Sequence, residues 1–381
     1  MKKLLLILLC FPMIGFGQNV NIPDAIFKAS LVGSVGINTN GDSEIQVSEA
    51  NLYNGPIWCN NMNISDLTGI EYFTALTTLY CQDNQLTSLD VSTNTALEVL
   101  NCYNNQLTSL DVSQNTALTV LECQINNLTS LDVSQNTALT YLFCQVMPLT
   151  SLDVSGATAL EVLRCHNNQL TSLDVSQNTA LTVLECSQNN LTTLDVSQNT
   201  ALTELECNQN NLTTLDVSQN TALTSLFCYN MPLTSLDVSG ATALTSLDCE
   251  INNLTSLDVS QNTDLTKLIC NNNQLTSLDV RNGNNMTLVN GRFSCSGNPN
   301  LFCINVDDAA WSTANWTVAN GDIDTQHYFS NNCPPSAIQE HTTNKELLKV
   351  TDLLGRKTKQ TNQPLFYIYD DGTVEKRIVI E

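Results

Sequence analysis

The chain has 381 residues, 42% of them hydrophobic but only 6% aromatic, and carries a formal net charge of −23. So acidic a composition works against nucleic acid and anionic membrane as partners and favours cations or basic proteins. The imbalance is local: residues 18–344 hold 31 acidic and 5 basic side chains, whereas residues 345–381 hold 6 and 7. That shift marks the C-terminal stretch as a separate module.

The first eighteen residues, MKKLLLILLCFPMIGFGQ, place Lys2 and Lys3 before an apolar run and Gly15 and Gly17 after it. The pattern reads as a secretory signal over residues 1–17. Cys10 lies inside the run, and Leu9 before it is larger than the residue expected ahead of a lipidated cysteine. No other apolar run approaches the ~20 residues that span a bilayer. The mature chain is therefore expected to lack a transmembrane segment and to be exported through the periplasm. Residues 18–55 follow as an N-terminal cap. There NIPDAIFKASLVG predicts a short amphipathic helix over the open end of a core. Residues 38–49, NTNGDSEIQVSE, resemble an EF-hand calcium loop. Asn38, Asn40, Asp42, Glu44 and Glu49 stand at ligand positions and Ile45 at the apolar one. The resemblance implies Ca²⁺ as the one candidate cofactor of this chain. The loop departs from the pattern with Asn38 in place of Asp and Ser43 in place of the turn glycine. A capping loop held only by hydrogen bonds is the alternative.

From residue 56 to 301 one sentence repeats. Ten cysteines stand 21 residues apart, from Cys81 to Cys270. With Leu76 as position one, each turn reads L-x-x-L-x-C-x-x-N-x-L followed by T-S-L-D-V-S-x-N-T-A. Such self-similarity is the signature of a solenoid of stacked turns. Leu76, Leu79, Cys81, Asn84 and Leu86 recur as a set down to Leu265, Leu268, Cys270, Asn273 and Leu275. The set resembles the leucine-rich repeat in its bacterial 21-residue form, whose two halves are themselves alike. The fold implied is a parallel β-solenoid with a short helical N-terminal cap and a small all-β tail domain. Cys59 opens an imperfect early turn, and Cys295 with Asn298 marks a last one. In the turns from Leu139 and Leu223, Met147 and Met231 replace the position-nine Asn, each followed by Pro. Both turns also exchange the later Asn for Ala, so they must close their bends differently. They lie 84 residues apart, as duplication of a four-turn block would leave them.

Strand side chains alternate, so Leu79 and Cys81 are expected inward and Thr78, Tyr80 and Gln82 outward. In the second half Leu89 and Val91 go in, and Ser88, Asp90 and Ser92 go out. Inward thiols in a straight row neither converge on a metal nor approach as disulfides require, which favours reduced cysteines packed as small hydrophobes. The recurring aspartates, Asp90 through Asp279, read as solvated carboxylates bonded to flanking Ser and Thr, or else as a row of weak sites for Ca²⁺ or a regular solid surface. The second outward face is monotonous. The first changes from turn to turn and offers Tyr80, Tyr103, Tyr141, Phe143, Arg164, His166, Phe227 and Tyr229 as candidate ligand contacts. Asp248, Glu250 and Lys267 lie among them. Specific recognition needs a varied surface with aromatic anchors.

Residues 302–333 form a closing cap, with Cys303 and Cys333 as candidate disulfide partners in an exported protein. Residues 334–345 read as a linker. Residues 346–381, with Gly355-Arg356 and the strand Phe366-Tyr367-Ile368-Tyr369, look like the C-terminal sorting domain of the type IX secretion system of Bacteroidota. That resemblance implies the type IX machinery as a partner. No HExxH, GxSxG or phosphate loop occurs, and an open regular strip offers no catalytic enclosure. No enzyme is expected. The expected function is a secreted or cell-surface leucine-rich repeat protein that recognises an extracellular protein or glycan through its variable strand face. A surface-layer or adhesion scaffold is the alternative.

Overall fold

The computed structural model describes residues 17–289, 291–334, 347–351, 364–369 and 374–378. The stretch read as a secretory signal, up to residue 16, nearly all of the stretch read as a linker, and Gly355-Arg356 lie outside the described residues. The chain divides into two compact units, Met1–Cys333 and Pro334–Glu381.

The first unit is a parallel β-solenoid of about 13 turns, as the repeat implies. Short strands, three residues long in all but the last, build a 12-stranded parallel sheet running from Pro56–Trp58 to Phe293–Ser294. Pairing follows the repeat, with Leu79 opposite Leu100 and Leu100 opposite Leu121. The inward side chains Leu76, Leu79, Cys81, Leu86 and Val91 are fully buried, and so are their equivalents in the turns that follow. A narrow core of this kind is filled by neighbours in the stack, so each turn depends on the next.

Two asparagine ladders hold the bends. At position nine, Asn126 Nδ2 donates to the carbonyls of Cys102 (3.0 Å) and Cys123 (2.9 Å), while its Oδ1 accepts the Leu107 amide (2.9 Å). One side chain thus joins two turns and satisfies three buried backbone groups. In the second ladder Asn115 Nδ2 donates to Val91 and Asn94 carbonyls, both at 2.9 Å. Met147 and Met231 are buried at the position-nine site and carry no amide to make these bonds. In the same turns Gly156 and Gly240 stand where other turns carry Gln, and there the second half closes up. A Cβ on Gly156 would stand 1.6 Å from the Ser134 carbonyl oxygen, and one on Gly240 would stand 1.8 Å from that of Ser218. Only there, before the last turns, does the second face pair as strands: Ser130–Asp132 with Ser151–Asp153, and Thr214–Asp216 with Ser235–Asp237.

Both ends are closed. Helix α1 (Ala25–Val32) buries Phe27 and Leu31 and is capped by Asp24, whose Oδ1 accepts from Ile26 and Phe27 amides. Oδ2 of the same carboxylate accepts the Ser65 amide at 3.0 Å, tying the cap to the first turns. Helix α2 (Val47–Leu52) begins with a capping box formed by Gln46 and Glu49. At the far end helix α3 (Ala309–Asn315) precedes Trp316, which is buried, stacks on Phe293 with centroids 3.9 Å apart and donates its indole N–H to Leu288. A disulfide joins Cys303 to Cys333, whose Cα atoms are 5.8 Å apart. In the second unit Leu347–Thr351, Pro364–Tyr369 and Val374–Ile378 form a three-stranded antiparallel sheet, matching the all-β tail expected from the sequence.

Candidate functional site: the variable strand face

Strand alternation puts two columns of side chains outward on the long sheet, and a third follows the buried cysteine. The candidate contacts do not form one continuous patch. Tyr80 stacks on Trp58 with centroids 4.1 Å apart, and Trp58 is 58% exposed. Tyr103, one turn on, has its hydroxyl pushed above the usual tyrosine range by a hydrogen bond to Asp83. Phe143, Arg164 and His166 come together. The Arg164 guanidinium lies 5.2 Å from the centre of the Phe143 ring and its Nε stands 2.8 Å from Glu185. His166 Nδ1 stands 3.3 Å from the other oxygen of Glu185. The hydrogen bond from His166, opposed by burial and helped by Arg164, holds the Glu185 carboxyl below the usual glutamate range. Tyr141 is exposed at the other end of the same strand as Phe143.

A second group sits four turns later. Lys267 Nζ lies 5.8 Å from the Phe227 ring centre and 3.7 Å from Asp248. Burial raises the Asp248 carboxyl, against the pull of Lys267. Burial, with Asp248 and Glu206 nearby, also raises the Tyr229 hydroxyl. Cations over aromatic faces contribute ~0.5–1 kcal/mol at exposed sites. Each Phe thus carries a cation that is itself held by a carboxylate from an adjacent strand.

Sequence reasoning missed three parts of this surface. Trp58 sits in the imperfect first turn, where the repeat frame is faint. Glu185 was hidden among ordinary polar positions, although its place one strand from Arg164 follows from the 21-residue register. Val99, Val120, Val162 and Val183 look like plain repeat residues, yet all lie outward. The signal was there: valine at an outward position of a half-exposed strand.

The other face is as monotonous as its sequence. Asp111, Asp153, Asp174 and Asp195 each accept the backbone N–H two residues on, at 2.9 Å. Those bonds from the following serines hold the four carboxyls below the usual aspartate range. The twelve cysteines from Cys59 to Cys295 are free and buried. Burial pushes the Cys102 and Cys186 thiols up to about 12, which leaves them protonated and unreactive.

In the EF-hand-like loop, Glu49 stands at the third position of α2. Its Oε1 accepts Thr39 N, Thr39 Oγ1 and Asn40 N, and its Oε2 accepts Gln46 N. Asn38 Nδ2 donates to the Val32 and Asp42 carbonyls, and its Oδ1 accepts Gly41 N. Asn40 Nδ2 donates to Asp42 Oδ2 and Gln46 Oε1, while Glu44 pairs with Lys28 at 2.7 Å. An ion here would displace several of these bonds. Among the described residues no three His, Cys, Asp or Glu side chains converge to hold a metal.

A family model for leucine-rich repeats (2 copies) matches residues 74–115. The functional domain of InlJ from Listeria monocytogenes, which includes a cysteine ladder, is 41% identical. Its structure superposes with a TM-score of 0.65 over 76% of this chain and 68% of that one. An internalin, InlF, from the same organism matches at 19% identity with a TM-score of 0.54, over 85% of this chain and 100% of that one. At that identity the likeness concerns the fold alone. Among curated proteins none matches the chain. The chain belongs to the leucine-rich repeat proteins, and within them to those of internalin type. Among the described residues no helix is long and apolar enough to cross a membrane.

Proposed function

We propose that this is an exported binding protein whose variable strand face recognises a macromolecular ligand, protein or glycan, outside the cell. The observation that carries the reading is a contrast on one scaffold. Core and aspartate face repeat almost without change, while the strand face gathers exposed aromatics and held cations at the positions that alternate with the core. Aromatic and Arg side chains are the usual energetic anchors of interfaces. Export is supported by the signal-like start and by the three-stranded unit at the C-terminal end, which we read as a sorting domain for type IX secretion. Deleting residues 346–381 and following the protein into the medium tests that part.

The binding reading is tested by replacing Tyr141, Phe143, Phe227 and Tyr229 with Ala and measuring retention of extracellular proteins and arrayed glycans. Loss of every retained ligand is expected, since a central anchor is typically worth ~2 kcal/mol or more. Asp153→Asn with Asp174→Asn should leave binding in place. Binding lost through the aspartates and kept without the aromatics would transfer the function to the other face. The uniform aspartate row favours a second reading, a repetitive surface scaffold, which stands if no ligand responds to either set.

A further inference from the structure

One stretch of the strand face differs from the rest. Val99, Val120, Tyr141, Val162 and Val183 are successive register partners in the first outward column. All five are at least partly exposed, Tyr141 by 39%. At ~4.8 Å per strand they form an apolar stripe roughly 19 Å long. Across the same turns, at the opposite edge of the face, Ile125 and Val146 are 45% and 41% exposed. Their φ angles are 56° and 59°, in the left-handed region, where a β-branched residue is strained by about 1 kcal/mol or more. Neighbouring turns put Asp83, Asn104 and Asn167 at that position, also with positive φ, and those side chains tolerate it. Ile251, outside this stretch, shares the angle (53°) and is 47% exposed, so the valine column sets this stretch apart and the bend residue does not.

The stripe ends on negative charge. The partner of Val183 in the next strand is Glu204, and beside it Glu185 is opposite Glu206. Glu185 is occupied by Arg164 and His166. Among the described residues no ion pair reaches Glu204 or Glu206. Burial, with the charges of Glu185 and Glu204, pushes the Glu206 carboxyl above the usual glutamate range against the weaker pull of His166 and Arg164.

We propose that turns carrying Val99 to Glu206 dock a segment of a partner protein, apolar along the valine stripe and ending in Lys or Arg side chains against Glu204 and Glu206. The inference rests on the reading of the strand face as a recognition surface and narrows it. A glycan fits this stretch poorly, because valine side chains leave sugar hydroxyls without partners, whereas a basic, amphipathic protein segment satisfies both halves of the surface.

The experiment uses the full chain as bait for a random peptide display library, with the enriched peptides then synthesised for affinity measurement. Enriched sequences are expected to pair an apolar run with a basic cluster. The double variant Val120→Ser, Val162→Ser should weaken them at least about tenfold. The double variant Glu204→Lys, Glu206→Lys should weaken them comparably and remove most of their salt dependence. All four positions face outward, and thermal melts serve to check that each variant is folded. Failure to enrich such peptides, or affinities unchanged in both variants, overturns the proposal. Peptides that ignore these variants but are lost on Trp58→Ala or Phe227→Ala would overturn it and leave the wider recognition reading intact. Peptides indifferent to all of them would overturn it too, and would remove the strand face as a protein-binding surface.

Discussion

Two faces run the length of the solenoid on one core, and they have diverged in opposite senses. On the aspartate face the same carboxylate accepts the same serine amide turn after turn. That bond is local, so it survives duplication unchanged and asks nothing of its neighbours. On the strand face side chains meet across turns: Trp58 with Tyr80, Arg164 with Phe143 and Glu185, Lys267 with Phe227 and Asp248. Such contacts exist only between particular pairs of turns and are not a by-product of copying. The comparison teaches where to look for function in a repeat, since identity between turns reports stacking and departures from it report surface.

The sharpest way to break the comparison is at the turns where the aspartate face itself departs from rule. Gly156 stands where Gln177 stands one repeat later, and its missing Cβ is replaced by the Ser134 carbonyl. Gly156→Ala should therefore cost about 3 kcal/mol or more, because backbone must move, whereas Gln177→Ala on the ordinary turn should change stability by less than about 0.5 kcal/mol. Denaturant midpoints of the two variants check this. Equal midpoints would mean that the Gly-Ala turns are no tighter than the rest.

Next in size is the asparagine ladder. Asn126→Ala removes two donated bonds and strands the Leu107 amide, a loss of roughly 2–3 kcal/mol. Met147→Asn, which would restore the ladder in the departing turn, should change stability far less, since the buried methionine already fills that space. A variant pair with equal losses would show that the amide acts as filler alone.

The fold was legible because the signal was redundant. Ten copies of Leu-x-x-Leu-x-Cys fixed the period, the inward set and the strand register, and Asn at position nine announced its own role. The site was legible only in part. Single aromatics stand out in a sequence, so Tyr80, Phe143 and Phe227 were visible, but their partners depend on which strand lies beside which. Glu185 and Lys267 acquire meaning only in register. The valine stripe escaped because one outward valine is unremarkable and five in a column are not. Ile125 and Val146 escaped because the sign of φ at the bend is a property of the folded turn. The loop of residues 38–49 shows the converse: its ligand-like spacing is plain in the sequence, and in the fold the same side chains bond to one another and to the loop backbone.

That loop provides the third test, and calcium remains a proposal there. Glu49→Gln should cost about 1–2 kcal/mol, because the carboxylate accepts four bonds from Thr39, Asn40 and Gln46. Bound Ca²⁺ would make the melting temperature of the parent fall on chelation and that of Glu49→Gln indifferent to it. The same melting temperature with and without chelator in both proteins would leave the carboxylate as a cap for α2.

The smallest effect separates the two faces by sign. Glu206 lies opposite Glu185, and burial together with Glu185 and Glu204 raises its carboxyl. A raised acid is a burden on the folded state above its folded pKa and none below its unfolded value of roughly 4.3. Glu206→Gln should therefore stabilise the protein at pH 7, by on the order of 0.5 kcal/mol, and the gain should vanish by about pH 3.5, below that unfolded value. Asp195 on the other face has the opposite shift, lowered by the amide and hydroxyl of Ser197. Its stabilisation is present above the unfolded value and lost as pH falls through the folded one, so Asp195→Asn should destabilise at pH 7 and converge with the parent in acid. Paired melts at the two pH values read both signs at once. If both variants move the same way, the carboxylates of the strand face are as well satisfied as the repeated ones, and the case for a cation from a partner falls with the difference.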